Sequence, residues 1–497
     1  MKKLLSIITV LISLISFSQK SEFSYIKGKL HKDKNFTEMV FSESDDKGGF
    51  FVLKRSASGV GLSNIEYKLD HLDSKMKVID SYIYEKKHYE MPNFSPIIGM
   101  YKSENKIILI EHTFEKKTTT CNALISNQDK LLFNEKKELY TDNENSYDKI
   151  NYIPNKNNTS FVLTFSIVKK NILENKLVIY DNKLNKKSEI LFSKDTKRNN
   201  YLITNIQLAN DSKNVFITAT FNDDKKNNCF ELNKLNQESQ KNITFKNSET
   251  TENKLVGIEP FLNNEDVHVF SYYTDQKEIL KGIAYQKTDF NNFTANKIIY
   301  NEFSEQFFLD KFSDSKKTVK IYNITFKYIF MNENNEFYIN TEESSTNLNI
   351  KRFNRALSPE GYSFLDIHLI KLNSDGKLVW SRLINKLHVS SLDMSYVSFF
   401  TFMKNNHNYL IFNAGKVVTD DDHSKNRPYF RQTFGHNQDL IAIKVDSNGN
   451  YTYETIFDDT KNDDFMCEIK DAKLFNNDFI LLGSKRDDNQ FFKYTIN

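Results

Sequence analysis

Asp366-Ile-His-Leu-Ile-Lys-Leu-Asn-Ser-Asp-Gly-Lys-Leu-Val-Trp380 reads as a strand, a tight turn and a second strand. Leu369 and Lys371 alternate with their neighbours as a half-buried strand requires. Asp375-Gly376 is a hairpin signal, because glycine reaches the positive φ that a right-twisted hairpin needs. The pattern returns as Asp439-Leu-Ile-Ala-Ile-Lys-Val-Asp-Ser-Asn-Gly449. Both copies fit Asp-x-x-x-Ile-Lys-apolar-Asn/Asp-Ser-Asp/Asn-Gly, which marks the unit as a repeat.

The strand ends before the two turns, Leu372 and Val445, serve as anchors for weaker copies. These fall at Leu69, Ile125, Tyr180, Leu232, Tyr285 and Tyr494. Successive spacings are 56, 55, 52, 53, 87, 73 and 49 residues, and a period near fifty indicates a repeat architecture. Each period is rich in short β-branched and aromatic runs, among them Lys106 to Ile110, Phe161 to Ile167, Lys176 to Leu184, Asn214 to Phe221 and Val267 to Tyr273. No long helical stripe is present, so helices should be few. About four strands fit in one period, the size of one propeller blade. The expected fold is all-β: a single β-propeller of about eight blades, with seven as the alternative. The chain ends after the third strand of its last unit. The stretch from Phe23 to Leu30 is therefore expected to pair with that unit and close the ring, leaving few exposed sheet edges.

Residues 1–18 read as a signal peptide: Lys2 and Lys3, an apolar run from Leu4 to Ile15, then Ser16 and Ser18. No later stretch approaches the apolar length of a membrane span. Residues 19–497 are expected to form one exported domain, periplasmic, at the cell surface or secreted. Without the leader, 66 basic residues face 65 acidic ones, which argues against a nucleic-acid partner. Cys121, Cys229 and Cys467 are far apart and expected to be unbridged.

The two long spacings place extra chain near 301–316, 342–364 and 415–437. Blade geometry would send these loops out of one face, side by side. They hold Lys351-Arg352-Phe353-Asn354-Arg355 and Arg427-Pro428-Tyr429-Phe430-Arg431, four of the eight arginines in the chain. Guanidinium groups beside flat rings suit recognition of an acidic group. Arg352, Arg355, Arg427, Tyr429 and Arg431 are thus the candidate binding residues; the plainer reading is that they pack a small loop core. Asp420-Asp421-Asp422-His423 lacks the spacing of a calcium loop and reads as a solvated acidic loop. The turns at Asn373 to Gly376 and Asp446 to Gly449 are accounted for by turn chemistry alone. Trp380, the sole tryptophan, is expected to pack between blades. His268 and His368 are expected in the core or at a rim. No metal-ligand pair, nucleophile elbow or phosphate loop is present, and neither metal nor cofactor is expected.

The Asp366 to Trp380 stretch resembles the β-propeller repeat of exported bacterial proteins, and the Lys- and Asn-rich style is similar to secreted propellers of Bacteroidetes type. Asp439 to Gly449 matches its first part, with Tyr451 and Tyr453 where the Trp region would be. The resemblance implies a fold and an extracytoplasmic location, and no catalytic residues. The functional expectation is a non-catalytic propeller that binds a partner protein or glycan through its loop-rich face. A polysaccharide hydrolase or lyase, and a structural part of the envelope or export apparatus, are the alternatives.

Overall fold

The computed structural model describes residues 21–33, 37–58, 64–84, 96–115, 117–143, 147–196, 200–247, 252–263, 265–312, 314, 317, 323–345, 362–390, 394–415, 428–431, 438–458, 465–485 and 488–497. The proposed leader therefore lies outside the described residues.

Eight antiparallel sheets follow one another along the chain, each built on four strands a to d. Blade 1 is Thr37–Ser44, Phe50–Ser58, Asn64–Leu72 and Val78–Tyr84. Blade 2 spans Ile97–Ser103 to Lys130–Asp142, blade 3 Lys149–Pro154 to Lys186–Asp195, and blade 4 Leu202–Leu208 to Gln240–Lys246. Blade 5 runs from Lys254–Leu255 and Glu259–Leu262 to Ile299–Glu302. Blade 6 is Asn323–Met331, Phe337–Ser345, Tyr362–Leu372 and a broken outer strand, Leu378–Ile384 with Lys386–Ser390. Blade 7 is Phe400–Lys404, His407–Ala414, Asp439–Val445 and Tyr451–Phe457. Blade 8 takes Met466–Cys467, Asp478–Lys485 and Asp488–Ile496 from the C-terminus and Phe23–Lys27 from the N-terminus. The molecule is an eight-bladed β-propeller, and all eight anchor residues fall on the third strand of their blade.

The closing pair is in register from Phe23 opposite Ile496 to Lys27 opposite Phe492. Phe23 is buried and meets the edges of Tyr409 and Phe479 at ring distances of 6.0 and 6.4 Å. Blade 1 then packs on blade 8 through Met39, Phe50, Val52 and Leu72 against Ile480, Leu482 and Phe491. The other hydrophobic clusters also lie at blade-to-blade contacts, for example blade 2 on blade 3 and blade 4 on blade 5. Both faces of the second and third strands of the blades are therefore covered. This corrects the half-buried reading of the Asp366 stretch: Ile367 to Leu372 are all buried. Lys371 is accommodated because its ammonium reaches Glu336 at 3.0 Å and lies over the Tyr338 ring, 5.3 Å from its centre.

The turns share one device. In blade 6 the Asn373 Oδ1 accepts the amides of Asp375 and Lys377, and Gly376 follows with φ +78°. In blade 7 Asp446 Oδ1 does the same for Asn448 and Asn450, with Gly449 at φ +82°. Trp380 packs flat against that turn, where a β-carbon on Gly449 would come within 2.9 Å of the indole, and Nε1 donates to Ser447 O. Trp380 thus joins blades 6 and 7. The strand expected over Lys176 to Leu184 stops at Asp181 because Asp181 Oδ1 opens the same turn, accepting from Lys183 and Asn185. The three cysteines are buried free thiols.

Replacing Phe23 by Ala removes the ring that seats the closing strand. It should lower the free energy of unfolding by about 3 kcal/mol, read as a lower urea midpoint.

Candidate functional site

Extra chain in the sixth unit begins with a short helix, Glu305–Phe312, between blades 5 and 6. Phe303 and Phe307 stack at 4.1 Å, and Phe307 meets His368 edge-on at 5.0 Å. Asp310 holds Arg382 through both carboxylate oxygens, at 2.7 and 3.3 Å. Lys311 reaches Glu343 at 2.7 Å and Asp366 at 2.8 Å. This insertion is thus bound down as a small core of its own.

Beneath it lies a chain of buried polar groups. Tyr272 Oη lies 3.1 Å from His368 Nδ1, and His368 Nε2 lies 2.8 Å from Glu343. Lys386 pairs with Glu342 at 2.8 Å, and Ser398 Oγ donates to the same carboxylate at 2.6 Å. Burial alone would raise the Glu343 pKa. The His368 hydrogen bond and then Lys311 outweigh it and hold the carboxyl at about 2. Burial pushes the Asp366 carboxyl up, and the Glu343 charge adds to this. A tyrosine, a histidine and a carboxylate in line could relay protons, yet Tyr272, His368 and Glu343 are each exposed by 2% or less. Sealed from solvent, they act as structure. His268 is also buried, its Nδ1 on Tyr285 Oη at 2.9 Å.

The insertion in blade 7 behaves differently. Phe430–Arg431 forms a two-residue strand that adds in parallel to the outer edge of blade 6, Phe430 opposite Lys386 and Arg431 opposite Leu387. Phe430 N donates to Asn385 O, and Gly415 N donates to Arg431 O. The Phe430 ring is fully buried between the edges of Phe412 and Tyr453, at 5.2 and 5.4 Å. Of the sequence candidates, Arg431 is exposed and Tyr429 half-buried on this rim; Arg352, Arg355, Arg427 and Asp420 to His423 lie outside the described residues. Beside Pro428 opens a groove of about 540 Å³ lined by Arg382, Asn450, Tyr451, Thr452 and Tyr453. Arg382 forms an anchored part of its wall, its guanidinium 5.2 Å from the Tyr451 ring centre and donating to Gly449 O. Tyr451 and Tyr453 are two residues apart on one strand and so share a face.

A second cavity, of about 340 Å³, lies among the first strands of blades 3 to 6. These strands are the innermost, and those of blades 2, 3 and 4 meet side by side. Gln207, Asn210 and Glu259 line it, and Asn205 reaches Glu259 from the same strand as Gln207. The sequence reading did not single these out. Their one signal was Asn205 and Gln207 alternating with Ile206 and Leu208.

No family model matches the chain, and no curated protein matches it. Solved structures do. Prolyl oligopeptidase B from Galerina marginata shares 9% identity at a TM-score of 0.38, covering 90% of this chain and 55% of that one. The β-propeller domain of the Trilobed protease from Pyrococcus furiosus shares 8% identity at 0.39, covering 86% and 97%. The polysaccharide lyase Uly1 shares 7% at 0.38, covering 80% and 90%. This chain thus spans little more than half the length of the oligopeptidase. The likeness is one of fold.

Replacing Lys311 by Met leaves Glu343 and Asp366 buried without their cation. Stability should fall by about 3 kcal/mol at neutral pH. The loss should shrink as the pH falls, because burial already raises Asp366 and without Lys311 it takes up a proton more readily. In the parent protein the Glu343 contribution is present above the unfolded value of 4.5 and is lost as the pH falls towards about 2. Urea unfolding across this pH range checks both signs.

Proposed function

We propose that the protein is an exported binding propeller that recognises an acidic glycan across the rim of blades 6 and 7. The observation that carries this reading is the strand Phe430–Arg431. It pairs with the outer edge of blade 6 while its Phe430 ring is buried against blade 7, and it holds Tyr429 and Arg431 within a few residues of the tyrosine groove. Rings held with a face to solvent can lie against a sugar ring, and guanidinium groups can meet its carboxylate or sulfate in bidentate fashion. Arg352, Arg355 and Arg427 belong to the same two insertions and would extend the cationic surface. Among the described residues lining the groove there is no carboxylate. Glycoside hydrolysis by the usual route needs two, so this supports binding over cleavage. Export by residues 1–18 would place the protein where such polymers occur.

The test is capture on uronic-acid, sulfated and neutral polysaccharides. The protein should be retained by at least one acidic polymer and not by its neutral counterpart. Replacing Arg352, Arg355, Arg427 and Arg431 together by Ala should weaken retention about tenfold or more while leaving thermal melting unchanged. Retention unaltered in that variant would remove the proposal. Retention only by acidic proteins from an envelope fraction would redirect it to a protein partner.

A further inference from the structure

The cavity at the inner strands belongs to a different part of the molecule from the rim groove. Lys156 and Asn210, on its wall, follow the first strands of blades 3 and 4. They lie beside the innermost strands, whereas the rim groove is lined by the outer strands of blades 6 and 7.

Its polar groups are unusually unspent. Glu259 Oε1 accepts from Asn205 Nδ2 at 2.7 Å and Gln207 Nε2 at 3.3 Å, across the contact between blades 4 and 5. Gln207 Nε2 also donates to Pro260 O at 3.0 Å, so the carboxyl is held on a fixed frame. No cation contributes to its titration; burial dominates and pushes it up to about 7. Asn210 Oδ1 is buried on the same wall and has no hydrogen-bond partner. Of the two lysines here, Lys327 directs its ammonium to Glu342 at 3.4 Å. Lys156 pairs with no carboxylate among the described residues: it is exposed at the mouth of the cavity, its ammonium 4.8 Å from the centre of the Phe261 ring.

Among the described residues the wall thus offers a carboxyl without a cation, a carbonyl without a donor and, at its mouth, an ammonium without an anion. Phe261, Phe326 and Leu208 supply apolar surface between them. A neutral sugar would answer the hydrogen bonds and leave the half-buried Glu259 carboxylate without a counter-charge. A single carboxyl is a poor cage for a metal, and no metal-binding group of His, Cys, Asp or Glu occurs among the described residues. A ligand with an ammonium at one end and an anion at the other answers all three.

We propose that this cavity binds a small zwitterion of the amino-acid or short-peptide class, its ammonium on Glu259 and Asn210 and its carboxylate towards Lys156. The ammonium supplies three donors, to a carboxylate that faces no cation and to the Asn210 carbonyl that has no donor. Phe261 then lies between the two charged ends. The site is independent of the rim reading.

The charged and titratable groups on this cavity are Glu259, Lys156, Lys327 and Tyr328, and Glu259 is the one that titrates near neutrality. Ammonium binding requires its ionised form and a protonated ligand amine, whose pKa is about 8, so affinity should rise from pH about 6 and level off at pH about 7.5. The experiment is calorimetric titration of the full chain with a panel of free dipeptides, their N-acetylated forms and a neutral disaccharide. At least one free dipeptide should bind at about 1 mM or tighter, and acetylation should weaken it about tenfold or more. Glu259→Gln keeps an acceptor for Asn205 and Gln207, so it should melt like the parent, lose about tenfold in affinity and lose the pH dependence. Lys156→Ala should weaken only ligands with a free carboxylate. Silence from every free dipeptide, equal binding of acetylated and free forms, or tighter binding of the disaccharide would each overturn the proposal. Arg431→Ala should leave the titration unchanged.

Discussion

A blade cannot stand alone. Each sheet has two apolar faces and two open edges, and water is kept from the faces only by neighbouring blades. The ring therefore depends on one long-range event, the pairing of Phe23–Lys27 with Asp488–Ile496. That pairing gives blade 8 its outer strand and seats Phe23 against Tyr409 and Phe479, so that blades 7 and 8 share one core. Blade 8 in turn covers the face of blade 1. Both candidate sites inherit their geometry from this closure, because each is made between blades and neither exists within one.

The fold was legible where turn chemistry was written in glycine. Gly376 and Gly449 follow an Asn or Asp by three residues and stand at positive φ, which made two units plain. Blades 1 and 3 build the same turn from Asp73 and Asp181, with Met76 and Leu184 at φ 62° and 66°. Side chains of that kind seldom adopt this conformation, so their turns carry no local signal and only the spacing betrayed them. Burial was misread for a related reason. Alternation predicts one wet face, but radial stacking covers both, and Lys371 survives there by reaching Glu336.

The sites were legible in unequal degree. Arginines concentrated in two long insertions are visible as composition; of the named residues that the structure describes, Arg431 is exposed and Tyr429 half-buried. That their strand would add to the outer edge of a neighbouring blade was not readable, since Phe430–Arg431 is two residues long and pairs in parallel with Lys386 and Leu387. The inner cavity is harder still. Asn205, Gln207, Asn210 and Glu259 come from two blades some fifty residues apart, and meet only because first strands converge on the axis. The buried chain from Tyr272 to Lys311 shows the opposite case: residue types suited to catalysis, placed where solvent does not reach.

Closure is the claim that everything else stands on, and amide hydrogen exchange reads it directly. If the ring is sealed as described, the amides of Phe23–Lys27 and Asp488–Ile496 that bond across the pair share slow exchange and open together, as one cooperative unit. Rapid exchange throughout Phe23–Lys27 beside a protected Asp488–Ile496 would contradict it, and would leave blade 8 with three strands and an open edge.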